Sequence, residues 1–327
     1  MTSLEGCRVA IIGARGIGKH HAKWWALEGA EVVAFAGTSP DSVEATADGL
    51  KDLFEFRGKG YTSVAAMLEE ESPDVVDVCS PAPWHYAHVQ AALLHGSHVL
   101  CEKPFVYDAR LEREEILGQA RELVALAETR HALLGICTQC VAAMDAFMEL
   151  WREQRGDEAI ERFEVELASP DRGKHPTIRD IWVDLAPHPL SMLQVLASGV
   201  AIDWSSVRGE AAERSCTAAF EAATGDGRRL AGSIRVGKTV GEPTHVWKVS
   251  LNGYAFEVEA QRDSAGIYCA RISTPDVVRE YPDFMRMMIR AFLSGQPAAD
   301  GAMAVQNLEW LLGFMDLFPP RPRGAVS

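Results

Sequence analysis

The chain has 327 residues, 47% hydrophobic and 24% charged, an ordinary globular composition with length enough for two moderate cores. Its 46 acidic against 32 basic residues give a formal charge of −14, which repels polyphosphate surfaces and sets aside nucleic acid and anionic membrane in favour of a small polar metabolite as partner. No apolar run approaches the roughly eighteen residues of a membrane span, the first strand-like run leaves no room for a signal peptide, and the seven cysteines are odd in number, so a cytoplasmic chain with reduced thiols is expected.

Residues 8–12 read as a buried strand, followed by the glycine-rich turn Gly13-Ala14-Arg15-Gly16-Ile17-Gly18 and a helical run to about residue 28. Strands at 31–36, 75–79, 98–101 and 132–137 then alternate with helices after residue 41, around 88–94 and at 109–129. That alternation predicts a parallel sheet with crossover helices, an α/β Rossmann dinucleotide-binding domain over residues 1–135. From 136 to 327 the rhythm changes, with strands at 162–168, 216–222, 230–236, 245–251 and 254–259 and an Asn252-Gly253 hairpin signal. Helices with apolar stripes follow at 282–293 and 303–318, and the proline-rich tail after them cannot continue a helix. This second part predicts an α+β substrate domain with an open, mostly antiparallel sheet. Such a sheet needs its second face covered, so a homodimer or homotetramer packed sheet on sheet is expected.

Glycines between a strand and a helix let backbone amides approach a pyrophosphate at the helix N-terminus, although tight turns also use glycine for purely steric reasons. About eighty residues on, Cys101-Glu102-Lys103-Pro104 closes another strand, and Cys79-Ser80-Pro81-Ala82-Pro83-Trp84-His85 closes the one between. With these three segments in register, the chain resembles the family of glucose-fructose oxidoreductase, inositol 2-dehydrogenase and the rhizopine-catabolism protein MocA as far as about His188. The resemblance implies that Gly13, Arg15, Gly16, Ile17 and Gly18, with Ser80, Pro81, His85, Glu102 and Lys103, hold a nicotinamide dinucleotide. It also implies that Lys103 reaches the reacting oxygen and that Pro104 is a cis residue. Arg15-Gly16-Ile17-Gly18 is similar to short-chain dehydrogenases as well, but no tyrosine here has lysine four positions later, as that family's catalytic pair requires.

The second strand ends Ala36-Gly37-Thr38-Ser39 with no carboxylate before Asp41, where an acidic residue would hold the ribose 2′-hydroxyl of NAD. Arg15, standing at the family's usual middle glycine, and the hydroxyls of Thr38 and Ser39 suit a 2′-phosphate, so NADP is favoured over NAD.

Hydride chemistry at a carbinol needs a group to take the hydroxyl proton. Asp184 and His188 match the family's Asp-x-x-x-His, which implies that His188 exchanges the proton and Asp184 assists. Pro187 and Pro189 bracket His188, and a residue before proline avoids helical conformation, so the helix is expected to start near Pro189, with His188 at its N-terminal end. Trp84, Arg172, His175 and Trp182 are candidate substrate contacts, since aromatic faces suit sugar rings and guanidinium suits carboxylates; each also reads as a core or surface residue. His20 and His21 read as structural. Cys137 and Cys140 form Cys-x-x-Cys with no second pair or neighbouring histidine to complete a zinc set, so no metal is expected. The predicted function is an NAD(P)-dependent oxidoreductase acting on a hydroxyl or carbonyl carbon of a sugar, cyclitol or related metabolite. Imine reduction, a non-catalytic dinucleotide or sugar sensor and an inactive structural subunit are the alternatives.

Overall fold

The computed structural model describes residues 6–318 except 174, 175, 198 and 265. The first compact unit runs to Gln139 and takes in Met285–Leu308; the second runs from Cys140 to Phe284 and resumes at Glu309. The border expected at 135/136 lies close to the first division, but no sequence signal shows that the segment 285–308 returns to the first unit.

In chain order the first unit contains β1 (Arg8–Ile12), α1 (Gly18–Leu27), β2 (Glu31–Ala36), α2 (Pro40–Leu53), β3 (Lys59–Tyr61), α3 (Val64–Glu71) and β4 (Val75–Val78). A 3-10 turn (Ala82–Trp84), α4 (His85–His95), β5 (His98–Glu102), α5 (Arg113–Thr129) and β6 (Leu134–Cys137) complete the run. The six strands are all parallel, in the order β3-β2-β1-β4-β5-β6, so the order reverses between β1 and β4. Helices cover both faces of such a sheet, which is why β4 and β6 are buried at every residue and read as continuous apolar runs instead of alternating ones. The sequence reading missed β3 and α3, since Lys59-Gly60-Tyr61 is too short to show a period.

The chain continues through α6 (Gln139–Ala142), α7 (Met144–Arg155), β7 (Arg162–Pro170), α8 (Ile178–Leu185), α9 (Pro187–Leu196), β8 (Ala201–Ala211), β9 (Ser215–Ala223) and β10 (Arg229–Thr239). Then come β11 (Val246–Leu251), β12 (Tyr254–Arg262), β13 (Tyr268–Ser273), β14 (Val278–Pro282), α10 (Phe284–Leu293) and α11 (Gly301–Met315). The last seven of the eight strands from β7 onward and β7 itself form one sheet in the order β14-β13-β12-β11-β7-β10-β9-β8, antiparallel throughout except between β10 and β7. β8, β13 and β14 escaped the sequence reading because they are polar strands at or near the sheet edges, with weak apolar alternation. Aromatic side chains cement the helices to the sheet, with Phe147 of α7 edge-on to Phe256 of β12 at 5.3 Å and Phe314 of α11 against Phe220 of β9 at 5.3 Å.

In the first unit, α10 docks through Phe292, which meets Trp25 edge-to-face at 5.9 Å, and through Arg286 and Arg290, which share Glu28. The proline-rich tail from Pro319 onward lies outside the described residues. No helix among the described residues is long and apolar enough to cross a membrane.

Candidate functional site

The strand order reverses between β1 and β4, and the carboxyl ends of the strands at such a reversal are the place where open α/β sheets hold ligands. The glycine turn sits there. Gly13 has φ +93°, and a Cβ on it would lie 2.8 Å from the Cys79 carbonyl oxygen; on Gly18 it would lie 2.5 Å from the Gly13 carbonyl oxygen. Both glycines are therefore required by close backbone approach, whereas a Cβ on Gly16 would meet nothing within 4 Å. That open position, with Arg15 and Ile17 exposed beside it, is the cradle a phosphate group needs. No side chain caps the N-terminus of α1, so its first amides keep their donor capacity for such a group. The residues present fit a dinucleotide.

Thr38 and Ser39 follow β2 at the same edge and are exposed. Ser39 has a structural duty as well: its Oγ accepts from the Ser42 amide at 3.3 Å and caps α2, while its hydroxyl proton stays available to donate. Asp41 lies in the first turn of α2, beyond the position of a ribose-binding carboxylate.

Beyond β4, Ser80 Oγ is 2.9 Å from His88 Nδ1, and Pro81 opens the 3-10 turn. His85 is buried and bridges two loops, with Nε2 2.6 Å from the Ser80 carbonyl oxygen and Nδ1 2.9 Å from that of Pro104. With both ring nitrogens facing backbone carbonyl oxygens, the imidazole braces these two loops. The Lys103–Pro104 bond is cis, as the resemblance implies.

Glu102 also turns inward. Its Oε2 accepts from the Lys103 amide at 3.1 Å and its Oε1 lies 3.1 Å from Nε2 of the fully buried His21. Burial alone would raise its carboxyl, but the hydrogen bond and charge of His21, with Lys103 beyond, hold it down at about 2. A carboxylate so engaged ties the Lys103 turn to the buried His21.

In the second unit Asp184 and His188 stand four residues apart on one face, each half-buried between buried neighbours. The helix begins at Pro187 and not at Pro189, and Ala186 stays helical at φ −65°, ψ −26°, so α8 passes directly into α9. Leu190 makes the first intrahelical bond, to the Ala186 carbonyl at 3.1 Å. The backbone ladder skips the two prolines, running from the Ala186 amide on the Trp182 carbonyl to the Leu190 amide on that of Ala186, and Pro187 at the first position of α9 is where proline is best tolerated. The Asp184–His188 spacing survives the two prolines.

The residue missed from sequence is Lys238 of β10. Its Nζ lies 2.7 Å from Asp184 Oδ2 and 2.8 Å from Ser169 Oγ, and its side chain is only 13% exposed. A lysine directed inward near a strand end is the one signal that pointed to it. Arg172, Asp184, Lys238 and His245 line a cavity of ≈ 410 Å³. Trp182 is no substrate contact: it is fully buried, donates from Nε1 to the Leu311 carbonyl at 3.0 Å and packs on Phe314. Trp84 is 60% exposed and stacks on His88, so its face is open to a ligand; His175 lies outside the described residues.

The description "Oxidoreductase family, NAD-binding Rossmann fold" matches residues 7–137. Among curated proteins, UDP-N-acetylglucosamine 3-dehydrogenase of Acidithiobacillus ferrooxidans is 28% identical over 200 residues, 61% of this chain and 57% of that protein. D-glucoside 3-dehydrogenase of Escherichia coli is 36% identical over 40% of this chain and 37% of its own length, and an inositol 2-dehydrogenase of Cereibacter sphaeroides is 35% identical over 39% and 42%. The alignments thus span from about a third to somewhat over half of these relatives. Solved structures resemble the chain over nearly all of its length. The A. ferrooxidans enzyme has a TM-score of 0.71 at 22% identity, covering 97% of this chain and 98% of that one. Scyllo-inositol dehydrogenase from Lactobacillus casei, with bound NAD(H) and scyllo-inositol, scores 0.72 at 14%, covering 96% and 97%. The two-part fold is therefore shared, and residues 7–137, which carry the glycine turn and the Glu-Lys-Pro turn, match the NAD-binding Rossmann domain of the Gfo/Idh/MocA oxidoreductases.

Proposed function

We propose that the chain is an NAD(P)-dependent dehydrogenase or reductase that moves hydride between the nicotinamide and a hydroxyl or carbonyl carbon of a sugar, cyclitol or related polar metabolite. The observation that carries this reading is one edge of the parallel sheet where a turn closed at Gly13 and Gly18 but open at Gly16 precedes the Glu102-Lys103-cis-Pro104 turn. When bound, the dinucleotide supplies or accepts the hydride. Gly13, Gly16, Ile17 and Gly18 receive the pyrophosphate, with Ser80 and Pro81 at the same edge; Lys103 hydrogen-bonds the reacting oxygen, and His188 exchanges the hydroxyl proton with Asp184 assisting. Lys238 holds Asp184 in place for that task. The exposed Arg15, the hydroxyls of Thr38 and Ser39 and the missing carboxylate after β2 favour NADP over NAD. A homodimer or homotetramer covering the outer face of the eight-stranded sheet, in the cytoplasm, completes the proposal.

Calorimetric titration with NADPH and NADH at one ionic strength tests the cofactor reading, followed by turnover on a panel of inositols, glucosides and UDP-N-acetylglucosamine. Tighter binding of NADPH, lost on Arg15→Ala, is expected. Binding of neither dinucleotide would overturn the proposal.

A further inference from the structure

A set of acidic, imidazole and thiol groups lies buried beneath the Lys103 turn. His21 on α1 is inaccessible to solvent, with Nδ1 2.9 Å from Asp77 Oδ2 of β4 and Nε2 3.1 Å from Glu102 Oε1 at the end of β5. Donors converge on both carboxylates. Trp25 Nε1 gives a 2.6 Å bond to Asp77 Oδ2, the Cys79 thiol lies 3.3 Å from Asp77 Oδ1, and the Lys103 amide donates to Glu102 Oε2. Carboxylates so served are acceptors only, and a ring whose two nitrogens both face acceptors must donate from both.

We propose that His21 is a positioning residue for Lys103, held as an imidazolium between Asp77 and Glu102 so that Glu102 fixes the Lys103 amide and with it the turn. The inference rests on the role given above to Lys103. Burial by itself favours the neutral ring, yet the Asp77 carboxylate beside it and the hydrogen bond they share raise His21 well above its ordinary 6.5. Burial keeps Cys79 and Cys137 as thiols by pushing both upward, so the charge that retains the proton comes from Asp77 and Glu102. The other groups nearby are Lys19, His20 and Lys23 on α1 itself, Lys103 beyond Glu102, Cys101 of β5, and on α10 the thioether of Met285, 3.5 Å from Cys137 Sγ.

His21, Glu102 and Cys137 also stand close enough together to hold a metal ion, as do His21, Asp77 and Cys79. The histidine absent from the neighbourhood of Cys137 in sequence is thus supplied from 116 positions away, at 3.8 Å. Protonated thiols and a ring already engaged on both sides favour a proton there over a metal, because a metal needs the deprotonated ligands.

The experiment is a 1H–15N spectrum of the full chain labelled at histidine, recorded at pH 8 and compared with Glu102→Gln, alongside elemental analysis of the purified protein. An imidazolium signal at pH 8 that turns neutral in Glu102→Gln is the expected result. A neutral His21 at pH 8, or one equivalent of bound metal, would sink the idea. In turnover, His21→Gln and Glu102→Gln should each lower kcat about tenfold or more, with KM and the dinucleotide Kd changed less than about threefold. Unchanged kcat in folded variants also overturns the inference when Lys103→Ala is slow, while a fast Lys103→Ala overturns the reading of Lys103 instead. The folded chain's own pH response is a further check. Stability from Glu102 is complete above its ordinary 4.5 and lost as pH falls towards about 2, whereas stability from His21 is complete below 6.5 and lost as pH rises through its raised value. The melting difference between wild type and Glu102→Gln should therefore close on acidification below 4.5.

Discussion

At the carboxyl edge of the parallel sheet the groups offered to a ligand are held by contacts too close for an added methyl group, as at Gly13 and Gly18, or by buried charge, as at Glu102. On the helical face of the antiparallel sheet they are side chains in half-open ion pairs, with Asp184 45% exposed and answered by Lys238. The first region fits one class of ligand and tolerates little change. The second is held by a solvent-screened pair that a single substitution can alter at small cost.

The largest test of that contrast is Trp182→Ala. Its indole lies in the core beside Phe314 and Phe318, so loss should cost about 3–5 kcal/mol of stability by denaturant titration. A loss below about 1 kcal/mol would return Trp182 to the list of surface contacts. Next is Lys103→Ala, expected to lower turnover roughly a hundredfold or more, about 2.7 kcal/mol, with the fold intact by circular dichroism. Activity within about tenfold of wild type removes the lysine from the chemistry. Lys238→Met should lower kcat/KM by about tenfold with at least one panel substrate and leave dinucleotide binding unchanged, the mark of the adaptable region; an equal effect on dinucleotide binding would erase the contrast. Smallest is Ser39→Ala, which should lower stability by about 1 kcal/mol without any cofactor present, through loss of the α2 cap. No change in the melting curve would leave its hydroxyl for the ligand alone.

Much of the first region was legible because its signals are local. A glycine whose neighbour is Cys79 still announces itself as a glycine, and strand-helix alternation survives without tertiary knowledge. What escaped depended on partners distant in sequence. Lys238 meets Asp184 across 54 positions, His21 meets Asp77 and Glu102 from separate elements, and Trp182 looked like a ligand platform until Leu311 and Phe314 closed over it. The prolines around His188 misled for another reason. The rule that a residue before proline avoids helix was outweighed by a chain that stays helical through Ala186 from α8 into α9.

The docking of α10 beside Trp25 has a consequence for synthesis. Gln139 emerges from the ribosome roughly 170 residues before Leu308, an interval on the order of ten to thirty seconds at ordinary translation rates, during which the nucleotide-binding part lacks its final helix. Trp25, already bonded to Asp77, lacks its edge-to-face partner Phe292 through that interval. A unit whose chain is completed so late is open in the meantime to the contacts that transiently exposed apolar surface invites.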